Sequence, residues 1–256
     1  MNWKSKAAIM RLFAALPYGD RLYKAGQKRF GRLDARPMVR LPAQAQMLKW
    51  LRDAGKSVEG MRLFEVGTGH VPVAPIGFFL CGAGPVVTVD LHRRIDWNLT
   101  RDSLRWISEH RKDVWTLYDN LVPEAVFNTR FELLSRLVDD PQRFFKEAGI
   151  DYRSPMDAAD TGLPDHSVDC HFSMTVLEHI PPDVIRDILT EAKRILVRGG
   201  GSDPFCGYER SLSASGQLHY AHQFFEVQRG RVAANCRKRV CVLQPTAGKR
   251  LQKIVQ

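Results

Sequence analysis

One stretch of this sequence leaves few choices of fold. Residues 61–66 read MRLFEV, an apolar run typical of a buried strand, and its end overlaps Glu65-Val66-Gly67-Thr68-Gly69. Prolines near the start and glycines at the end of residues 71–84 predict a short apolar helix after this turn. Glycines let the backbone turn sharply and let a ligand approach the main chain. The order strand, glycine turn, helix therefore predicts an α/β fold that binds a ligand at the carboxyl end of the strand.

A second strand, predicted over residues 85–90 (PVVTVD), ends in another acid. Asp90 follows Gly67 by 23 residues, where a carboxylate can accept hydrogen bonds from both hydroxyls of a ribose. The alternative is a simple strand-end cap. Pro72 stands where a dinucleotide-binding fingerprint would place its third glycine, so that class of site is disfavoured.

The remaining pattern alternates strands with helices, which predicts a parallel sheet covered by helices on both faces. Hydrophobic spacing and end signals predict helices over residues 4–32, 42–54, 97–147 and 181–196, and strands near 150–153 and 167–173. About 60 residues separate Asp90 from the next strand, far more than a crossover needs. We therefore interpret residues 97–147 as a helical insertion that caps the active site and selects its substrate.

Residues 157–201 contain an ordered set of motifs: DAADTGLPDHSVD, then CHFSMTVLEHI, then a helix that ends in RGGG. With the glycine turn and Asp90, they resemble the type 11 family of class I S-adenosylmethionine-dependent methyltransferases over residues 61–201. The resemblance implies a Rossmann-like, three-layer α/β/α sandwich with S-adenosylmethionine as cofactor.

The resemblance also implies a role for each matching residue. Glu65 and the glycine turn would hold the amino-acid end of the cofactor, Asp90 its ribose, and Asp157 with Ala158 its adenine. Ser173 to Val176 would line the pocket floor. The family often has a third glycine where Val71 stands here. The implied cofactor-binding positions are Glu65, Gly67, Thr68, Gly69, Asp90, Leu91, Asp157, Ala158, Ser173 and Met174.

His179 is the best candidate for a catalytic base, because histidine titrates near neutral pH. The sulfonium is already an activated methyl donor, so catalysis needs an aligned acceptor and, for a protonated acceptor, a base. The alternative is a histidine that only bonds a backbone group. Glu178 would lie near the methyl donor, or serve only as an acid favourable at the start of a helix.

The sequence leaves two alternatives for each of two further groups of side chains. One group either binds an anion or belongs to a solvated loop: His92, Arg93 and Arg94. An aromatic set in the insertion lines an acceptor pocket or belongs to the core: Trp97, Trp106, Trp115 and Tyr118.

The net charge of +10 is concentrated at the two ends of the chain. Residues 1–60 hold 13 Lys and Arg against 4 Asp and Glu, and residues 202–256 hold 9 against 3. A basic N-terminal helix could contact a membrane surface peripherally, or its charge could simply face water. The five cysteines show no metal-ligand spacing, so we expect no metal site, reduced thiols and a cytoplasmic protein.

Residues 202–256 fit the rest of the chain poorly. A class I sheet needs a strand directly after the Gly-Gly turn and two more strands, but only VCVLQ (240–244) resembles one. One choice of permitted codons, read one nucleotide downstream, yields a string that opens with a strand pattern and resembles the C-terminal part of such methyltransferases. We hypothesise a frameshift near codon 201, which would leave the sheet without its last three strands and the protein marginally stable and weakly active. The alternative is a divergent or disordered tail.

The sequence thus predicts an N-terminal helical region (1–58), a methyltransferase core (59–201) and an atypical basic tail (202–256). The predicted function is methyl transfer from S-adenosylmethionine to a small molecule or to a lipid or sugar intermediate. The alternatives are RNA methylation, suggested by the basic ends, and a non-catalytic cofactor-binding or membrane-surface protein. We expect no nucleic-acid partner, because no aromatic-basic RNA-binding motif is present. The oligomeric state is not predicted.

Overall fold

The computed structural model describes residues 37–197 and, as backbone, the strands at 205–212, 219–228 and 231–234. These residues lie in the compact unit that begins at Pro37. The helices predicted over residues 4–32 lie outside the described residues. No helix in the described ranges combines the length and apolar character needed to cross a bilayer.

A seven-stranded sheet forms the middle layer, as the alternating pattern predicts. Its strands are β1 (Leu63–Val66), β2 (Val86–Val89), β3 (Ile150–Arg153), β4 (Cys170–Met174), β5 (Phe205–Leu212), β6 (His219–Gln228) and β7 (Arg231–Ala234). Their order is β3-β2-β1-β4-β5-β6-β7, with β1 to β5 parallel and β6 and β7 antiparallel. The carboxyl ends of β1 and β2, where the predicted site lies, are therefore direct neighbours.

Seven α-helices are described, and they lie close to the predicted ranges. They are α1 (Leu41–Asp53), α2 (Val73–Leu80), α3 (Trp97–Glu109), α4 (Arg111–Tyr118), α5 (Glu124–Arg136), α6 (Pro141–Ala148) and α7 (Pro182–Ile195). Every residue of α2 is buried, which fits its uniformly apolar sequence. α7 instead buries a single stripe, with Ile188, Ala192 and Ile195 packed against Phe64 and Val66 of β1.

The helical insertion forms a layer beside the sheet. Its helix α5 contacts α2, α6 contacts β3, and α4 contacts α1. Tyr118 is fully buried and donates a hydrogen bond to Gln44 of α1 (2.7 Å), so this aromatic belongs to the core. The start of α3 is tied to the strand ends through the hydrogen bond from the Asp96 amide to the His70 carbonyl. Whether the insertion selects the acceptor stays a prediction.

The polar positions of the DAADTGLPDHSVD segment brace the core. Asp169 accepts hydrogen bonds from the backbone and the guanidinium of Arg62 at 2.8 and 2.9 Å, which lowers the pKa of its carboxyl. Asp165 pairs with Arg194 of α7. These contacts hold the loop before β4 against the start of β1 and the end of α7.

The expectation that the tail leaves the sheet without its last three strands is wrong. β5 extends the parallel sheet beside β4, and β6 and β7 continue it in antiparallel order. VCVLQ, the one strand predicted in the tail, lies outside the described residues. Because β4 has a neighbour on both sides, an unpaired sheet edge no longer argues for marginal stability.

Candidate functional site

The glycine turn begins where β1 ends. The Gly67 amide donates to the Val89 carbonyl of β2 (2.8 Å), so the turn is fixed between two strands. Gly67 has φ +87°, and the Val176 side chain lies so close that a β-carbon on Gly67 would collide with it. The turn therefore requires glycine both for its backbone angle and for close packing.

Gly69 turns the chain toward Asp90. Its φ is +71°, and its amide faces both carboxylate oxygens of Asp90 at 3.3 and 3.2 Å. Among the described residues, a β-carbon built on Gly69 meets one atom within 4 Å, the Arg40 Nη1 at 3.9 Å. The space beside Gly69 is thus open except for a cation.

Asp90 follows β2 and is 9 % exposed. Burial raises the pKa of its carboxyl, while the Gly69 amide, the Tyr152 hydroxyl and the charge of Arg94 act in the opposite direction. Tyr152 of β3 donates to Asp90 Oδ2 (3.1 Å). A carboxylate has about four acceptor sites, so Asp90 keeps acceptor capacity for a ligand.

Glu65 lies inside β1 and is 3 % exposed. Its Oε2 accepts a hydrogen bond from Thr88 Oγ1 (2.5 Å), and Thr68 Oγ1 lies 2.5 Å from the same hydroxyl. Thr88 has one hydroxyl proton, so when it donates to Glu65 the donor in the second bond is Thr68. The turn residue Thr68 is thereby connected to the Glu65 carboxyl.

The electrostatics of Glu65 are unusual for a carboxylic acid. Burial raises its pKa to about 8, and the neighbouring Asp90 charge acts in the same direction. The Thr88 hydrogen bond and the charge of Arg40 lower it. The structure therefore brings the two predicted carboxylates together at one turn, where the charge of Asp90 helps to raise the pKa of Glu65.

Arg40 is a residue that the sequence interpretation missed. It directly precedes α1, is exposed, and places its guanidinium near Gly69 and Glu65. Nothing in its neighbourhood, RPMVRLPAQ, separates it from the other cations of the basic N-terminal part. The only usable signal was its position just before the helix that leads into the first strand.

The predicted adenine-binding residues lie beside Asp90. The Met156 amide donates to the Asp90 carbonyl (3.0 Å), which ties their loop to the end of β2. Ala158 is buried against the core, whereas Asp157 is exposed and accepts a hydrogen bond from the Ala159 amide (2.9 Å). Leu91 is 60 % exposed, so its side chain is available to a ligand.

The end of β4 and the residues that follow it lie on the other side of the turn. Ser173 is buried and donates to the Val66 carbonyl (2.9 Å), so its hydroxyl joins β4 to β1. Met174 is buried as well. His179 ends a short 3-10 helix (Leu177–His179), is exposed, and its amide donates to the carbonyl of Val176. Contact of Val176 with Gly67 places this segment next to the glycine turn.

Comparisons with solved structures report distant similarity to several methyltransferases. The chain is 12 % identical to a candidate sarcosine dimethylglycine methyltransferase from Galdieria sulphuraria, over 65 % of this chain and 47 % of that one (TM-score 0.35). It is 14 % identical to the Burkholderia thailandensis 1,6-didemethyltoxoflavin-N1-methyltransferase, over 87 % and 70 % (TM-score 0.42). For Haemonchus contortus phosphoethanolamine N-methyltransferase 1 the identity is 13 %, over 84 % and 36 % (TM-score 0.36). The chain thus spans less than half the length of two of these three proteins.

Among curated protein sequences, none matches this chain. Residues 129–201, from α5 through α7, match the family model described as a methyltransferase domain. The glycine turn and Asp90 precede the matched range, and β1, β2 and β4 bring them next to it in the sheet. Residues 129–201 thus match a methyltransferase domain, and the sheet around them has the α/β architecture expected of a class I methyltransferase fold.

Proposed function

We propose that this chain transfers the methyl group of S-adenosylmethionine to a small-molecule acceptor. The observation that supports this proposal most strongly is the set of ionisable groups around one glycine turn: the Glu65 and Asp90 carboxyls and the Arg40 guanidinium. Their types and positions match the polar groups of an adenosyl amino acid.

The amino-acid end of the cofactor has an ammonium and a carboxylate on one carbon. Glu65 offers a buried acceptor for the ammonium, and Arg40 offers an exposed donor fork for the carboxylate. Gly69 leaves room between them, because only Arg40 approaches the position of its missing side chain. This opposite pair would hold the zwitterion in one orientation.

The nucleoside end requires acceptors for the ribose hydroxyls and an apolar wall for the base. Asp90 supplies the acceptors, held in place by the Gly69 amide and Tyr152. Ala158 and Leu91 supply apolar surface beside it, and Asp157 would accept from the adenine amine. These assignments support binding of adenosine at the ends of β2 and β3.

The cofactor supplies an electrophilic methyl group on a positively charged sulfur. The protein's share of the work is to fix the donor and to hold the acceptor in line behind that methyl group. The exposed His179 follows the segment that contacts the glycine turn and would accept the acceptor's proton. A protonated acceptor atom should therefore make turnover depend on this imidazole.

Calorimetric titration tests the cofactor site. We expect S-adenosylhomocysteine and 5′-methylthioadenosine, which lacks the amino-acid end, both to bind the intact protein. Arg40→Ala should weaken S-adenosylhomocysteine about tenfold, the size of one charge-assisted hydrogen bond, and leave 5′-methylthioadenosine unchanged. Arg186→Ala, an exposed arginine of α7, is the matched control.

The two ligands separate the parts of the proposal. Absence of binding by both ligands would overturn the proposed function. An equal loss for both ligands in Arg40→Ala would overturn the role of Arg40 alone. A screen of small molecules with labelled methyl donor then identifies the acceptor, with His179→Asn expected to lower the methylation rate and spare S-adenosylhomocysteine affinity.

Membrane contact and cytoplasmic location stay predictions. The predicted basic N-terminal helix lies outside the described residues, so its role rests on the sequence. Sedimentation with anionic liposomes, with and without residues 1–32, tests it. Fractionation of cells tests the location.

A further inference from the structure

A cleft of about 370 Å³ opens beside β3, the edge strand of the sheet. It lies between the start of α3, the outer side of α6 and β3. The lining residues that carry its chemistry are Arg93, Trp97, Phe145, Lys146, Tyr152 and Ser154. The glycine turn lies two strands away, at the end of β1. None of the proposed donor-binding residues lines this cleft.

Aromatic rings form much of its wall. Trp97 and Phe145 meet edge to face, with ring centroids 5.1 Å apart, and Tyr152 adds a third ring from β3. Ile150 contributes apolar surface between them. Such a wall favours a flat, apolar ligand group over a hydrated one.

The charges at the cleft are all positive. Arg93 and Lys146 are exposed, and neither forms an ion pair within the described ranges. No acid among the described residues lines the cleft. Of the acids adjacent in sequence to its lining residues, Asp151 pairs with Arg153, Glu147 pairs with Arg143, and Asp96 accepts the Asn98 and Leu99 amides. The two cations are therefore available to an anion.

Two lining residues have polar atoms with unmet bonding capacity. Trp97 Nε1 and Ser154 Oγ are buried, and neither has a hydrogen-bond partner among the residues that the structure describes. Buried polar atoms normally form hydrogen bonds, so each of these two atoms is expected to bond a ligand or water. An indole N–H can only donate, and a hydroxyl can donate as well, so an acceptor is the partner that serves both.

We propose that this cleft binds an aromatic anion, a ring bearing a carboxylate or a phosphate. The ring would pack against Trp97, Phe145 and Tyr152. The anionic group would take charge-assisted hydrogen bonds from Arg93 and Lys146, and the Trp97 and Ser154 donors would complete its shell. The site is separate from the proposed donor site and does not depend on the proposed function.

Tyr152 joins the two sites. Its ring lines the cleft, while its hydroxyl donates to Asp90 and accepts from the Arg94 amide. A ligand against this ring contacts the residue that positions the ribose-binding carboxylate. Occupancy of the cleft should therefore alter nucleoside affinity without competing for the nucleoside site.

The test uses phenyl phosphate as the probe and calorimetry at low salt as the measurement. We expect the doubly substituted R93A/K146A protein to bind phenyl phosphate at least tenfold more weakly than the parent. R186A/K193A, which removes two exposed cations from α7, should bind it as the parent does. Benzyl alcohol, which keeps the ring and lacks the charge, should bind much more weakly than phenyl phosphate.

Trp97→Phe and saturation with S-adenosylhomocysteine complete the test. Trp97→Phe keeps a ring and removes the indole N–H, and it should weaken phenyl phosphate severalfold with an unchanged melting temperature. Phenyl phosphate should still bind the protein when S-adenosylhomocysteine saturates the donor site. Equal affinity in parent and R93A/K146A protein, or benzyl alcohol binding as well as phenyl phosphate, would overturn the anion site. Full displacement by S-adenosylhomocysteine would overturn its separation from the donor site.

Discussion

At the scale of single residues, Glu65 shows how burial changes the chemistry of a conventional acid. Its carboxyl is almost inaccessible to water, so its charged form is disfavoured and its pKa rises to about 8. Among the described residues, the cation that opposes this shift is Arg40, which lies at the surface and offsets only part of the cost. Near neutral pH the free protein therefore holds Glu65 largely protonated.

This state predicts that cofactor binding depends on pH. An ammonium bound to Glu65 favours its ionised form, so binding should release a proton below pH 8. The affinity for S-adenosylhomocysteine should rise by up to about tenfold per pH unit between pH 5.5 and 7.5. Calorimetry in buffers of different ionisation enthalpy measures the released proton.

The control is Glu65→Gln, which keeps the shape and cannot ionise. It should bind more weakly and release no proton. An affinity of the parent protein that stays flat from pH 5.5 to 7.5 would contradict the assignment of Glu65 to the ammonium.

At the scale of elements, the glycine turn depends on a neighbour from a distant part of the chain. β1 ends in Gly67, and the segment after β4 places Val176 directly against it. The turn and the residues that lead to His179 thus share one packing contact. A substitution in either segment should therefore alter the packing of both.

Gly67→Ala tests this contact. The positive φ costs a non-glycine residue about 1–2 kcal/mol, and the collision with Val176 should add about 1–3 kcal/mol. Urea unfolding measures the total. Gly60→Ala is the matched control, because Gly60 also has a positive φ (+71°) but nothing lies near its missing side chain.

Adding Val176→Ala should return part of the stability lost in Gly67→Ala. If Gly67→Ala costs no more than Gly60→Ala, the close packing of Val176 does not restrict the turn.

At the scale of the whole molecule, three buried titrating groups shape the dependence of stability on pH. The pKa of Glu65 rises to about 8, burial lowers that of His171 to about 3, and the Arg194 and Thr161 contacts lower that of Glu191 to about 2. The Glu65 contribution is lost as pH rises from about 4.5 to 8. The His171 contribution is lost as pH falls from about 6.5 to 3, and that of Glu191 below about 4.5.

We therefore expect a stability plateau between about pH 4.5 and 6.5, where the slopes from Glu65 and His171 oppose each other. Stability should fall on both sides, by about 1.4 kcal/mol per pH unit for each unopposed group. Urea unfolding across this range measures it. Glu65→Gln should remove the loss above pH 6.5, and a loss that persists in that variant would contradict this account.

Whether residues 202–256 arise from a frameshift can be answered only from the gene sequence. β5 to β7 complete the sheet, although the sequence of residues 202–256 predicts almost no strand. The frameshift near codon 201 stays a hypothesis, and the nucleotide sequence across that codon decides it. Bases that exclude the shifted reading would refute it.

Sequence alone determined the elements of the core and the identity of its strand-end groups. Local patterns were sufficient because MRLFEV, PVVTVD and the amphipathic α7 each bury a recognisable face. The glycines and Asp90 were identifiable for the same reason, since sharp turns and strand ends produce local sequence patterns.

Tertiary structure decided what no local pattern encodes. The approach of Arg40 to Glu65, the chain of Thr68 and Thr88, and the pairing of the tail with β4 join residues that are far apart in sequence. The raised pKa of Glu65 arises from the burial and charge that this packing creates. Such effects depend on distance in space, which the order of residues does not specify.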